Sequence, residues 1–342
     1  MPQNIPSVLV VGAGALGLVA AYSLQEHGQC DVTLVVKFDY EKVCQEGYTF
    51  KSVQFGNFSG WKPKYIRKSV EDTKHEYDFI IVAVKNLPDG PEPVNDIIRH
   101  VVERSPNSAV ILFQNGIDIE KPLIEEFPGH VIMSGVSLIN CTNIDRVVDQ
   151  KNKDSIQIGL FENETIKDIA TAESKLKQFV ELYHIEGMNT VSLDENVRLS
   201  RWKKLVYNAS INTTTALVQL DVTRSTICGF KQNLCRPIID EIYAIAKADG
   251  YNIPSEMEDE MLNLSNGLYY RPSMCVDVDF GRMIELETIV GNPLRMAKKY
   301  GVPAPRLDTI YHLLQMVQYK TMEKAGLIIM DVEKGVPHKT FN

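Results

Sequence analysis

Cysteine is scarce and scattered in this chain. Six occur among 342 residues, at 30, 44, 141, 228, 235 and 275. There is no CxxC pair and no Cys/His cluster at zinc-ligand spacing, which excludes a disulfide scaffold or a structural zinc site as the organising feature. Reduced cysteines in an intracellular protein are the simple reading. Long apolar runs are missing too. Nothing approaches the roughly 20 apolar residues of a membrane helix, and the run Ile5 to Val11 is too short and wrongly flanked for a signal peptide. The expected location is therefore the cytoplasm. Six Asn-x-Ser/Thr triplets, beginning at Asn57, Asn140, Asn163, Asn208, Asn212 and Asn263, are then expected to be chance. Basic residues are in deficit, 36 Lys and Arg against 44 Asp and Glu, a net charge of −8. Sequence-independent nucleic-acid binding needs a basic surface and is disfavoured, but a local basic pocket for phosphates is not.

What is present is ordinary globular composition, 44% hydrophobic and 23% charged, over a length that usually splits into two domains. Ser7 to Val11 is a continuous apolar run with β-branched residues, fitting a buried parallel strand. Gly12-Ala-Gly-Ala-Leu-Gly17 follows, then a helical stretch Leu18 to Glu26 and a second strand Val32 to Val36. This is one βαβ unit. Further strands are expected at Phe79 to Val84, Ala109 to Phe113 and Val131 to Ile139, with helices at Asp96 to Glu103 and Pro122 to Phe127. That alternation predicts an α/β, Rossmann-type, doubly wound and mostly parallel sheet.

Beyond about Leu193 long helical patterns replace strands: Glu195 to Leu217, Phe230 to Asp249, Ser255 to Leu264, Val278 to Lys299 and Leu307 to Met322. We read 1–193 as a nucleotide-binding domain and 194–342 as an all-α substrate and catalytic domain, with substrate between them. Asn140 to Asp194 is read as the last strands of the sheet with a helix near Glu173 to Leu182.

The glycine pattern carries chemistry because a strand precedes it and a helix follows it. Gly12 makes the tight turn, Gly14 lets the backbone approach a pyrophosphate, and Gly17 permits close helix packing. Free N–H groups and the dipole of the helix start then hold phosphate. At the end of the second strand an acid suits NAD and a cation suits the 2′-phosphate of NADP. Here Lys37 favours NADP, while Asp39 is the candidate acid should the strand end earlier. Lys85 and Asn115 follow apolar strands at the carboxyl edge of the sheet, where ligands of such folds bind. Each is also an ordinary loop residue on the alternative reading.

In the second half, Lys204, Asn208 and Asn212 lie at i, i+4 and i+8, which stacks them along one face of an α-helix. Leu205, Val206, Ala209 and Ile211 make that helix largely apolar, so its polar groups need partners or a ligand. A positioned ammonium stabilises the charge that develops on a carbonyl oxygen during reduction and delivers the proton. Lys203 or Lys204 could equally be a snorkelling surface lysine. Glu285 and Glu287 fall in a stretch read as helical, where a carboxylate either partners the lysine or decorates a solvated face.

Together these residues resemble the ketopantoate reductases (2-dehydropantoate 2-reductases) over almost the whole chain. The resemblance rests on Val10-Val-Gly-Ala-Gly-Ala-Leu-Gly17, Ala83-Val-Lys85, Gln114-Asn-Gly-Ile117, Trp202-Lys-Lys-Leu-Val-Tyr-Asn208 with Asn212, and Ser273-Met through Glu285. It implies NADPH bound by Gly12, Ala13, Gly14, Ala15, Leu16, Gly17, Lys37, Lys85, Asn115 and Glu285. It implies Lys204 as the catalytic lysine with Glu285 as its acid partner, and Asn115, Asn208, Asn212 and Ser273 on the substrate. Two departures stand out: Tyr270 replaces a family asparagine, and Gln219-Leu-Asp-Val-Thr223 replaces a small Asn-Gly loop. Both bear on specificity, and Tyr270 suits a more apolar acyl group. The implied reaction is reduction of a 2-oxo acid, ketopantoate first, in pantothenate and coenzyme A synthesis. A D-mandelate-like 2-hydroxyacid dehydrogenase is the alternative, and a non-catalytic NADPH-binding sensor the rival of another class. The expected partner is a small 2-oxo acid, with a possible homodimer and neither nucleic acid nor membrane.

Overall fold

The computed structural model describes residues 5–26, 28–161 and 163–341. Residues 1–4, 27, 162 and 342, which the two expected domain ranges include, lie outside the described residues. The chain divides into two compact units. The first comprises 1–85, 94–114 and 119–197; the second comprises 86–93, 115–118 and 198–342. Two short segments from the first half of the sequence thus belong with the helical unit.

The first unit is organised by an eight-stranded sheet. Its order is Thr190–Leu193, Ser155–Leu160, Val131–Ser137, Ala109–Leu112, Phe79–Val82, Ser7–Val11, Asp31–Val35 and Tyr65–Arg67. All neighbours are parallel except 155–160 against 131–137. The central strands are buried on both faces, as their unbroken Val/Ile/Leu runs require. One face packs on the helices Ala15–Glu26 and Ile169–Tyr183, the other on Val94–Arg104 and Lys121–Glu126. This is the doubly wound Rossmann-like sheet that the alternation implied.

A second, four-stranded sheet lies in the same unit, ordered Gly56–Trp61, Tyr48–Ser52, Val147–Gln150 and Cys141–Ile144. Its aromatic side chains close over the glycine-turn helix: Tyr22 stands 4.5 Å from Phe55, 4.9 Å from Phe50 and 5.3 Å from Trp61 between ring centroids. Residues 141–150 therefore extend this small sheet, while 155–160 and 190–193 complete the large one.

The second unit is helical, built on an apolar cluster that includes Trp202, Leu205, Ile239, Ile242, Ile289 and Leu314. It also carries a hairpin, Ile328–Asp331 with Val336–Lys339, which the all-α expectation did not include. Three helices contain a π turn, at Asn208–Asn212, Lys231–Cys235 and Glu287–Gly291. The first of these packs against both of the others. Among the described residues no helix is long and apolar enough to cross a membrane.

Candidate active site

In the first unit the fingerprint glycines answer to different demands. Gly12 has φ +114°, and a Cβ there would stand 2.7 Å from the Val84 nitrogen. A Cβ on Gly17 would stand 2.0 Å from the Gly12 carbonyl oxygen. Both glycines are therefore required by packing of the turn on its neighbours. Gly14 is exposed, and a Cβ there would meet nothing nearer than 3.9 Å. The fold leaves that position open, as close approach of a ligand to the backbone requires. Ala13, Ala15 and Leu16 are half-buried around it. The Ala13 carbonyl accepts from Asn143 Nδ2 at 2.9 Å, so the small sheet holds the turn in place.

The strand before Lys37 ends at Val35. Lys37 is exposed, with its Nζ 5.8 Å from the Phe38 ring centroid. Asp39 is exposed with φ 58° and stands just before the helix Tyr40–Glu46. Lys85 is half-buried beyond the strand Phe79–Val82.

In the second unit, Lys204, Asn208 and Asn212 do share one helical rod, running 197–218. It is not an uninterrupted α-helix. The turn 208–212 is π-helical, with the wider i to i+5 bonding that often marks functional segments. Hydroxyls help hold the wound segment: Thr213, Thr214 and Thr215 each bond the carbonyl four residues back, at 2.7 Å. Lys204 is half-buried, whereas Asn208 and Asn212 are 6% and 2% exposed.

The amides form a chain. Asn212 Nδ2 donates to Asn208 Oδ1 at 3.3 Å and to Ser273 Oγ at 3.2 Å, and its Oδ1 accepts from the Met274 amide at 3.1 Å. Asn212 is thus committed within the protein, and it fixes which end of Asn208 it engages: the oxygen, leaving Nδ2 on the other side. Ser273, exposed, opens the helix Ser273–Asp279.

Glu285 departs from the helical expectation. The helix stops at Asp279, Gly281 takes φ +62°, and residues 282–285 are irregular before the next helical turns begin. The carboxylate is 9% exposed. Its Oε1 accepts from the Asn86 amide at 3.2 Å and its Oε2 from Asn115 Nδ2 at 3.0 Å. Glu287 has other partners, Arg295 at 2.7 Å and the Tyr311 hydroxyl at 2.6 Å. The Asn115 loop is pinned from both ends. Gly116 takes φ +105°, and a Cβ there would stand 2.6 Å from Thr288 Cβ. Ile117 donates to the Thr288 carbonyl at 3.1 Å, and Arg201 donates to the Gly116 carbonyl at 3.3 Å.

The two departures from the family pattern are one structure. Val222 N donates to the Tyr270 carbonyl at 3.0 Å, Thr223 Oγ1 to the Leu268 carbonyl at 2.7 Å, and Arg271 to the Gln219 carbonyl at 3.0 Å. Burial pushes the half-buried Tyr270 phenol above its ordinary pKa, so it stays neutral. In the same unit, Arg198 lies between Asp118 at 2.5 Å and Asp249 at 2.8 Å. Burial acts to raise the Asp249 pKa, but bonds from Arg198, Trp202 and Tyr300 outweigh it and hold the carboxyl below its usual range.

Sequence reasoning missed Asn86, which contributes only a backbone N–H, and it missed Asn143. Neither sits in a motif, and only long-range contact reveals them.

The chain matches the family model for ketopantoate reductase PanE/ApbA over residues 8–163, and that for its C-terminal part over 196–318. It is 40% identical to the uncharacterized protein YDL144C of Saccharomyces cerevisiae, over 95% of this chain and 97% of that one. It is 29% identical to a 2-dehydropantoate 2-reductase of Nostoc, over 96% and 100%. The crystal structure of 2-dehydropantoate 2-reductase from Methylococcus capsulatus superposes with a TM-score of 0.74 at 27% identity, over 92% of this chain and 97% of that one. The chain therefore belongs to the ketopantoate reductase family of oxidoreductases.

Proposed function

We propose that this protein reduces a small 2-oxo acid to the 2-hydroxy acid with NADPH, 2-dehydropantoate (ketopantoate) being the leading substrate. The observation that carries the reading is the polar set of the helical unit, in which Asn86, Asn208, Asn212 and Glu285 are buried, Asn115 is half-buried and Ser273 is exposed. Asn208, Asn212 and Ser273 form one chain of hydrogen bonds, and Glu285 with Asn86 and Asn115 forms another. The π turn holding the asparagines packs on the turn that begins two residues after Glu285. Polar groups at this depth in an apolar cluster are costly unless a ligand or partner uses them.

The residues of the first unit fit a dinucleotide: Gly14 leaves room at a helix start, and Lys37 and Lys85 supply cations. A reduced nicotinamide dinucleotide bound by these residues would supply the hydride for the reduction. Lys204 donates the proton to the carbonyl oxygen, so the products are the 2-hydroxy acid and the oxidised cofactor. Glu285, oriented by Asn86 and Asn115, is the countercharge that keeps the lysine protonated. Asn208 Nδ2 and Ser273 Oγ bind the acid, with Asn212 holding both in register.

Tyr270 and the segment 219–223 favour a second reading, a D-2-hydroxyacid dehydrogenase for aromatic or branched acids, because they present a neutral, half-buried ring where the family has an amide. The test is purified protein with NADPH and NADH against 2-dehydropantoate, phenylglyoxylate and branched 2-oxo acids. Turnover of ketopantoate supports the leading substrate, and preference for phenylglyoxylate moves the assignment to the second. Nucleotide binding without turnover of any of them overturns the enzyme reading in favour of a sensor.

A further inference from the structure

Gln318 lies in the helix Pro305–Lys324 and is 4% exposed. The same helix buries Leu307, Ile310, Leu314 and Met322, so packing alone asks for an apolar side chain at this position. Instead the amide is spent on two neighbours, Ile284 and Asp89. The Ile284 amide donates to Gln318 Oε1 at 2.9 Å, and Gln318 Nε2 donates back to the Ile284 carbonyl at 3.1 Å. The second Nε2 hydrogen goes to Asp89 Oδ2 at 3.0 Å. Both donors of the amide are committed.

The two partners matter because of what adjoins them. Ile284 immediately precedes Glu285. Asp89 lies three residues after Asn86, whose amide donates to the Glu285 carboxylate. One side chain therefore ties the backbone beneath Glu285 to the loop that grips its carboxylate, closing a ring through residues 284–285, 86–89 and 318. We infer that Gln318, acting with Asp89, is a positioning residue that sets where the Glu285 carboxylate is held. This rests on the proposed role of Glu285 in the reduction.

The test uses the full-length protein and two independent readouts. In Gln318→Leu, hydrogen exchange at the Asn86 amide should be roughly tenfold faster, the scale of one lost hydrogen bond, although Gln318 makes no bond to Asn86. On whichever 2-oxo acid is turned over, kcat should fall roughly tenfold with NADPH affinity, measured by fluorescence, unchanged. The basic limb of the pH profile should also move down, in the same direction as expected for Glu285→Gln. Asp89→Asn keeps an acceptor for Nε2 and should behave like the parent, whereas Asp89→Leu should behave like Gln318→Leu. A folded Gln318→Leu protein with unchanged Asn86 exchange overturns the inference. If Glu285→Gln alters the pH profile and Gln318→Leu does not, the inference fails while the role of Glu285 stands. If Glu285→Gln alters neither rate nor profile, the proposed mechanism fails instead.

Discussion

In the first unit the signature glycines answer to backbone packed at the turn: Gly17 packs on Gly12, five residues away, and Gly12 on Val84 just beyond the end of the neighbouring parallel strand. In the second unit the corresponding partners are remote. Glu285 is held by Asn86 and Asn115, and Asn212 reaches Ser273 and Met274. The first is organised by a large sheet whose strands pair in unbroken register. The second departs from regularity three times, with a π turn in each of three helices. A nucleotide is met by backbone, which a local motif can shape. A small acid must be met by side chains gathered from several elements.

That contrast can be broken most sharply at Lys204. Lys204→Ala should lower kcat by about 10²–10⁴, the usual loss of a general acid, and leave NADPH affinity unchanged in a fluorescence titration. Lys203→Ala should be mild, since it lies about 100° around the helix. The reverse pattern would put the chemistry on the wrong face. Next comes the ion cluster of Arg198, Asp118 and Asp249. Asp249→Asn should cost about 1.5–3 kcal/mol, the worth of hydrogen bonds to a charged group. Because its carboxyl pKa is held down in the fold, this stabilisation is complete above the ordinary carboxylate range and is lost as pH falls through the folded value. The melting temperatures of parent and variant should therefore begin to draw together below about pH 4 and meet only below the lowered folded value. A gap that persists there would assign the effect to shape and not to charge.

The glycines sharpen the comparison within the first unit. Gly17→Ala should destabilise it by about 1–3 kcal/mol, the cost of overpacking. Gly14→Ala should leave the melting temperature unchanged and weaken dinucleotide binding. Equal loss of stability in both would mean that Gly14 also serves the fold. At Lys37 the change expected is in cofactor preference and not in stability: Lys37→Glu should shift preference from NADPH toward NADH by about tenfold or more, from a charge-assisted contact of roughly 1.5–3 kcal/mol. Parent protein that binds NADH as well as NADPH would turn attention to Asp39.

Much of this was legible beforehand. Apolar runs of Val and Ile became the central strands because a strand buried on both faces needs no alternation. The alternation with helices implied the doubly wound sheet, and the spacing of Lys204, Asn208 and Asn212 placed them on one helical rod. The small aromatic sheet was not anticipated, since its strands are short and its partners lie about a hundred residues apart. The irregular backbone at Glu285 was hidden for a related reason. Its residues read as helical by composition, but Gly281 turns the chain and Gln318 captures the backbone of Ile284.

The sequence by itself determined the nucleotide turn, the layering of the first unit and the helical character of the second, because each follows from local sterics and from the period of apolar residues. Only the tertiary structure decided that 86–93 and 115–118 belong with the helical unit, that residues 208–212 wind as a π turn, and that Tyr270 and 219–223 form one wall. Those outcomes depend on hydrogen bonds between residues remote in sequence, and no local preference encodes them.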